Sequence, residues 1–398
     1  METENKISLD CIMACMYFVC LPLTVIITPF GSMLKLVTMP VAAVLSVRLL
    51  LGKSRLSLNY VHFTYFLYVM YTVLQLAMYR EEITLTVTKD MLLGFFAFIL
   101  ISIRIYNNRE KEMIENIWLA VGIICIVAAF TSKEVLSETE ERAVIKIFGF
   151  EEDQNQFCAY FIMPIIISVK RIVEKRRFMP AYFVTILLII YSVLKTGSRG
   201  GLIGVVAGAF AYIVIGIKSI KGRIAICISA VLLAGIIVFA VFPLLPESVK
   251  ERYSVERVAE DKATGRFEIW EYLVKHTLEK PERVIRGSGV LSSFDILLKA
   301  PDKTFKNTVA HNTFIQIFSD QGLIGILLFM VVMFACLIRP LGTDKVYSCA
   351  FFALMAFSMS LTFYVFKPYL NIMMMCAMSF KGQLPEDILK KIMGKEEA

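Results

Sequence analysis

Apolar runs of about 17–25 residues recur from one end of this chain to the other, and each is long enough to cross a hydrocarbon core of about 30 Å as a helix. Twelve such spans fall near 9–29, 31–51, 59–78, 90–106, 116–132, 155–169, 181–196, 200–217, 224–243, 313–338, 346–366 and a short last one at 368–380. Hydrophobic residues are 57% of the chain and charged residues only 19%, too apolar a balance for an ordinary soluble domain. No cleavable signal peptide is expected, because the first apolar run leads directly into another with no Ala-x-Ala-like site. The expected fold is therefore all-α: a polytopic helical membrane protein of about twelve transmembrane helices.

Charge sets the expected orientation. Short basic links (Gly52–Arg55, Arg104–Lys111, Lys170–Arg177 and Lys218–Arg223) alternate with links poorer in Lys and Arg at 79–89 and 133–153. The second of these carries Glu134, Glu138, Glu140, Glu141, Glu151, Glu152 and Asp153. The positive-inside rule then places both termini and the basic links in the cytoplasm, with the acidic link and a long 244–312 loop outside. Domains follow as a membrane bundle over 1–243, an extracytoplasmic loop domain over 244–312 between the ninth and tenth helices, further membrane helices over 313–380, and a cytoplasmic tail over 381–398 with Lys390, Lys391 and Lys395. Topology and anionic lipid account for the net charge of +8, so no nucleic-acid partner is implied. All nine cysteines lie in or beside apolar spans and none in the long loop, which indicates small core residues rather than a disulfide framework.

The long loop reads as a folded platform. Phe267, Trp270, Val274 and Leu278 recur at helical spacing and share one helix face, and Arg286-Gly287-Ser288-Gly289-Val290 follows as a turn. Such an amphipathic helix can rest on the bilayer or cap the bundle.

Four constellations carry possible chemistry. In Ser198-Arg199-Gly200-Gly201, small residues leave a guanidinium and backbone N–H groups reachable by a phosphate; a tight turn with a snorkelling arginine is the simpler reading. Gly265-Arg266, with Trp270 one turn later, adds a cation to exposed N–H groups at a helix start, against the alternative of a solvated arginine. His311-Asn312 opens the tenth span, followed by Gln316 and Asp320-Gln321-Gly322-Leu323-Ile324-Gly325; an imidazole with an ordinary pKa of about 6.5 suits proton removal, although histidines at helix starts often serve only as interfacial hydrogen-bonding groups. Asp153-Gln154-Asn155-Gln156-Phe157 re-enters the membrane, and helix capping is its default role. His62 and His276 lack comparable neighbours, and no metal set, Walker loop, nucleophile elbow or dinucleotide fingerprint is present.

The order of these features over about 150–326 resembles the O-antigen ligase and polymerase superfamily, bacterial membrane proteins that join or extend lipid-linked glycans. The residues carrying the resemblance are Ser198-Arg199-Gly200-Gly201, Gly265-Arg266 with Trp270, the Gly-x-Gly after Arg286, and His311-Asn312-Thr313-Phe314 through Gly322-Leu323-Ile324-Gly325. The resemblance implies an undecaprenyl-diphosphate-linked glycan donor in the outer leaflet, a glycan or lipid acceptor hydroxyl, inversion at the anomeric carbon, and no metal or cofactor. Arg199 and Arg266 would hold the departing diphosphate, and His311 would orient or deprotonate the acceptor. Ser198, Gly200, Gly201, Asn312, Trp270, Asp153 and Asn155 would line the substrate site, with Arg286 as a further phosphate contact by position. Flippase and chain-length proteins of the same pathway are the implied partners. The Ile-, Lys- and Met-rich composition suggests a host without lipopolysaccharide, favouring a repeat-unit polymerase for capsule, exopolysaccharide or O-antigen over a ligase. A lipid-linked glycan transporter would also have twelve spans, but its polar groups would sit mid-span in two related halves. A non-catalytic assembly subunit is the third alternative; it would leave Arg199, Arg266 and His311 individually dispensable.

Overall fold

Among the described residues, six helices are long and apolar enough to cross a membrane: Met33–Leu50, Tyr60–Tyr79, Asn108–Thr131, Gln154–Val173, Arg199–Gly216 and Thr313–Leu341. Shorter apolar helices cover Leu9–Val19, Met179–Lys195 and Lys345–Ser358, and helices Glu82–Ser102, Ile220–Ile236 and Lys367–Ala377 complete the bundle. This computed structural model describes residues 6–29, 31–79, 82–132, 145–245, 247–254, 265–300, 305, 309–362 and 367–381. The acidic residues Glu134 to Glu141 and the tail lysines Lys390, Lys391 and Lys395 lie outside the described residues. Large apolar side chains such as Leu50, Phe63, Ile203, Val231 and Leu327 face outward, an arrangement that water would penalise and lipid favours. The protein is a multi-pass, predominantly helical membrane protein.

Several expected spans end or begin elsewhere, each for a local reason. Over 9–29 the helix stops at Val19, and Pro22 starts a 3-10 turn over Leu21–Val25, followed by the short hairpin Ile27–Thr28 with Gly31–Ser32. The expected link 79–89 is mostly helix, since Glu82–Ser102 begins within it. The acidic link ends in a hairpin, Ile145–Ile147 with Phe150–Glu152. The span expected over 346–366 is helical to Ser358 and leaves the helix over Met359–Thr362, a break that shapes the site described below; residues 363–366 lie outside the described residues.

Helix starts are fixed by short polar side chains accepting from exposed N–H groups: Ser8 from Cys11, Ser32 from Lys35, and Asn107 with Glu110 in a reciprocal capping box. Small residues let the central helices approach closely. A Cβ on Gly204 would stand 2.9 Å from Cβ of Phe357, and one on Gly208 would stand 2.7 Å from Cβ of Ala353, so Arg199–Ala211 and Lys345–Ser358 pack nearly backbone to backbone.

Hydrogen bonds sort the links into two ends. Lys6–Ser8, Arg48 to Ser57, Arg104 to Lys111, Lys170, Asp344 and Met378–Lys381 meet at one end; strand Ile105–Tyr106 pairs in parallel with Ser379–Phe380, and Arg48 binds Asp10. Asp153 to Cys158, Thr196 to Gly201, Arg286 to Val290, His311 and Met359 to Thr362 gather at the other. At the first end, Asp344 sits between Lys111 and Lys170, and Glu115 also binds Lys170. Burial works against the ionised Asp344 carboxylate, but the two ammonium groups outweigh it and hold its pKa below the usual range. A depressed carboxylate pKa stabilises the fold at neutral pH and loses that contribution as pH falls through it. Asp344→Asn keeps the cap on Val346 but removes the charge, and should cost about 2 kcal/mol of stability at pH 7. Thermal unfolding in detergent should show that difference at pH 7 and a smaller one near pH 3; equal melting at both would sink the assignment.

Helices Arg266–Leu278, Pro281–Arg286 and Ser292–Leu298 form a small platform on the first turns of Thr313–Leu341. Its core is Ile269, Leu273, Leu297 and Ala310, with Trp270, Tyr272 and Phe305 packed around. The expected apolar face differs: Ile269, Leu273 and Thr277 are covered, while Phe267 and Leu278 are exposed. Two apolar stripes run along this helix, and the platform covers the one nearer Leu297.

Candidate functional site

Three separate parts of the chain converge on the backbone just after Ser358. Asn312 Nδ2 donates to the Met359 carbonyl at 3.3 Å, Arg266 Nη1 to the Ser360 carbonyl at 3.0 Å, and Thr313 Oγ1 to the Leu361 carbonyl at 2.8 Å. Gly200 packs so tightly on Ser360 that a Cβ there would collide with the serine hydroxyl. These carbonyls are available because they lie past the end of the Lys345–Ser358 helix, outside its ladder of intrahelical bonds.

The arginine turn is held from below and above. Ser198 caps the Arg199–Ala211 helix, accepting from Gly201 N–H at 3.0 Å and donating to Asn155 Oδ1 at 2.8 Å. Asp153 Oδ1 accepts from the N–H groups of Asn155 and Gln156 at 3.0 and 2.8 Å, so it performs the capping role and thereby sets the position of Asn155. A Cβ on Gly201 would lie 2.5 Å from Cβ of Cys158, which explains the second glycine. Arg199 donates through Nε and Nη2 to the Arg252 carbonyl at 3.0 and 2.6 Å. These bonds, like that of Arg266 to Ser360, end on backbone carbonyls and orient the guanidinium.

His311 is half-buried and has a left-handed backbone, with φ of 50°, unusual for a residue with a side chain. Neighbours on both sides enforce it. Trp270 Nε1 donates to the Ala310 carbonyl at 2.7 Å, Ala310 N–H donates to Gln316 Oε1 at 3.2 Å, and Asn312 caps the next helix through the N–H groups of Phe314 and Ile315. Gln316 in turn donates to the fully buried Asp320 at 2.9 Å, whose oxygens also accept from the N–H groups of Leu291 and Ser293. Strain held in place by a surrounding network is characteristic of functional positions.

The structure thus brings together Arg199, Arg266, Asn312, Ser198, Gly200, Gly201 and Asn155 through short chains of contact, and Trp270 supports His311 from its peptide neighbour. Arg286 stands apart. Its guanidinium pairs with Glu282, its carbonyl accepts from Gln75 at 2.6 Å, and it lines a separate cavity with Arg283 and His276. Sequence reading missed the Met359–Leu361 carbonyls and that of Arg252. The available signal was Ser358-Met359-Ser360-Leu361-Thr362, a hydroxyl-rich stretch that hydropathy passes over because Ser and Thr are neutral. Among the described residues, no group of three His, Cys, Asp or Glu side chains could hold a metal ion.

No curated protein matches the chain. Residues 183–330 match the family described as O-antigen ligase, somewhat over a third of the sequence. The matched segment holds Arg199, Arg266, Trp270, Arg286 and His311. Through this segment the chain is similar to the O-antigen ligase family, which supports the O-antigen ligase and polymerase superfamily.

Proposed function

We propose that this protein transfers a glycan from undecaprenyl diphosphate to an acceptor hydroxyl, without a metal and with inversion, at the outer face of the bacterial cytoplasmic membrane. The family supports glycan transfer of the ligase or polymerase type. The observation that carries the finer reading is the convergence of Arg266, Asn312, Thr313 and the Gly200 turn on Met359–Leu361, which sets two guanidiniums and His311 around one end of the bundle. Both described ends of the chain lie at the opposite end, which fits cytoplasmic termini and an external site.

In this reading the acceptor oxygen attacks the anomeric carbon as its bond to the diphosphate oxygen breaks. Arg199 and Arg266, pre-oriented by backbone carbonyls, stabilise the charge that builds on the leaving diphosphate. His311 takes the acceptor proton. Ser198, Gly200, Gly201 and Asn155 keep the arginine turn in register, and Asp153 does so through Asn155. Composition favours a repeat-unit polymerase; the description of the matched family keeps ligase as the second reading.

Reconstitution with the native undecaprenyl-diphosphate repeat unit should release undecaprenyl diphosphate and build glycan ladders on the carrier. Release that requires a separate acceptor would make the protein a ligase. An intact donor in the presence of folded, donor-binding protein would overturn transfer altogether and leave transport of the lipid-linked glycan.

A further inference from the structure

The cavity that Arg286 lines is built unlike the site above. It measures about 460 Å³, within the roughly 300–1,000 Å³ range of small-ligand sites. Four cationic side chains, Lys280, Arg283, Arg286 and Lys299, face two acidic ones, Glu282 and Asp295. Glu282 pairs with Arg286, and Arg283 is held by Glu279 at 3.1 Å. The ammonium groups of Lys280 and Lys299 are exposed and have no ion pair among the described residues.

Three buried polar atoms on this cavity's lining residues, His276 Nδ1, Arg286 Nε and Ser288 Oγ, have no hydrogen-bond partner among the described residues. Buried polar groups are nearly always satisfied, and three unsatisfied ones beside one cavity give its wall a polar character that an apolar occupant would not match. Burial and the Arg283 charge push His276 below its usual pKa, which keeps the ring neutral and able to accept or donate.

Two tyrosines give the cavity flat apolar surface. Tyr79 is fixed by its hydroxyl bond to the Gly287 carbonyl at 2.5 Å, and Tyr272 by ring contact with Phe305. Aromatic faces, carboxylates able to accept from hydroxyls and a net positive lining together match a sugar that carries its own negative charge. A bare phosphate would not use the tyrosines or the acidic groups.

We infer that this cavity is a saccharide subsite selective for an acidic sugar, bearing a carboxylate or phosphate, of the glycan handled at the neighbouring site. The saccharide assignment rests on the transfer reading, whereas the anion preference rests on the lining alone. Tyr71, Gln75 and Tyr79 tie the Arg286-Gly287 backbone to the Tyr60–Tyr79 helix, and Asp320 ties Leu291 and Ser293 to the network that reaches Ala310. Occupation of this cavity is therefore mechanically continuous with the segment that carries His311.

Ligand-observed NMR on the full chain in neutral detergent tests this with a glucuronate-containing disaccharide, its neutral glucose counterpart, and phosphatidylglycerol. The acidic disaccharide should bind about tenfold more tightly than the neutral one. The double variant Lys280→Gln/Lys299→Gln should lose about tenfold for the acidic probe only, with unchanged thermal melting, and Ser288→Ala should weaken both probes. Arg199→Ala should keep the binding while losing transfer, so binding without transfer in the wild type would sink the transfer reading and leave this cavity standing. Equal binding of both disaccharides, or full binding by the double variant, overturns the proposal. Phosphatidylglycerol binding with no response to the acidic sugar overturns it too, making the cavity a lipid-headgroup site.

Discussion

His311→Asn will lower the rate of glycan transfer about 10²- to 10⁴-fold with the protein still folded, the range typical for losing a positioned general base. Asparagine is the informative replacement. The position has φ of 50°, and asparagine accepts left-handed backbone far better than most residues, so the geometry between Ala310 and Asn312 survives while the base does not. Arg199→Lys and Arg266→Lys should each cost about 10²- to 10³-fold, because an ammonium keeps the charge but loses the fork that binds the Arg252 or Ser360 carbonyl with one edge and, in the proposed transfer, would bind a diphosphate with another. Initial rates of undecaprenyl diphosphate release, beside thermal melting of each variant, separate chemistry from folding. Asparagine at 311 retaining transfer within about threefold of the wild type would remove the base role.

How much of this could be read in the sequence depends on which physical property carried the signal. Hydropathy marks helices well where residues are uniformly apolar, and Thr313–Leu341 lies close to the expected 313–338, whereas Asn108–Thr131 starts well before the expected 116 because its first turns are polar. It fails where a break is made of neutral groups: Ser358 to Thr362 reads as continued helix, yet its carbonyls receive Asn312, Arg266 and Thr313. Arg199, Arg266 and His311 could be singled out because each stands at or just before a helix start beside small or polar neighbours. Their partners were not, since a backbone carbonyl has no sequence signature, and Arg252 contributes through its carbonyl a bond its side chain does not advertise. Arg286 shows how position can mislead about place. Its position beside Gly-x-Gly suggested a phosphate contact, but chain order does not reveal that a helix pairs it with Glu282 and turns it into another cavity.

Gly322→Ala should prevent stable folding, or cost on the order of 3 kcal/mol or more if the chain still folds. Thr313–Leu341 is interrupted at Gly322, whose φ of 66° and ψ of −162° fall in a region essentially confined to glycine. A Cβ there would stand 2.6 Å from the backbone nitrogens of Arg286 and Gly287, which cannot swing away as a flexible side chain would. The approach is mutual: Gly287, at φ of 74°, has no room for a Cβ against the Asp320–Gln321 peptide. Ser288 and Gly289 N–H groups donate to the Ser319 and Asp320 carbonyls at 3.0 and 2.7 Å, and Tyr71 donates to the Gln321 carbonyl at 2.8 Å. The two glycine motifs thus form one backbone-to-backbone joint, and it reorients Asp320 so that its carboxylate can reach both Leu291 and Gln316. Gly149→Ala is the control, because it too has a positive φ, 89°, but nothing lies within 4 Å of the added methyl; it should cost only about 1–2 kcal/mol. Thermal melting in detergent compares the two directly. Similar losses in both variants would mean that backbone strain alone matters and that the close approach of the chains does not. A much larger loss at Gly322 would identify the joint as the element on which the Asp320, Gln316 and Ala310 links, and therefore the position of His311, depend.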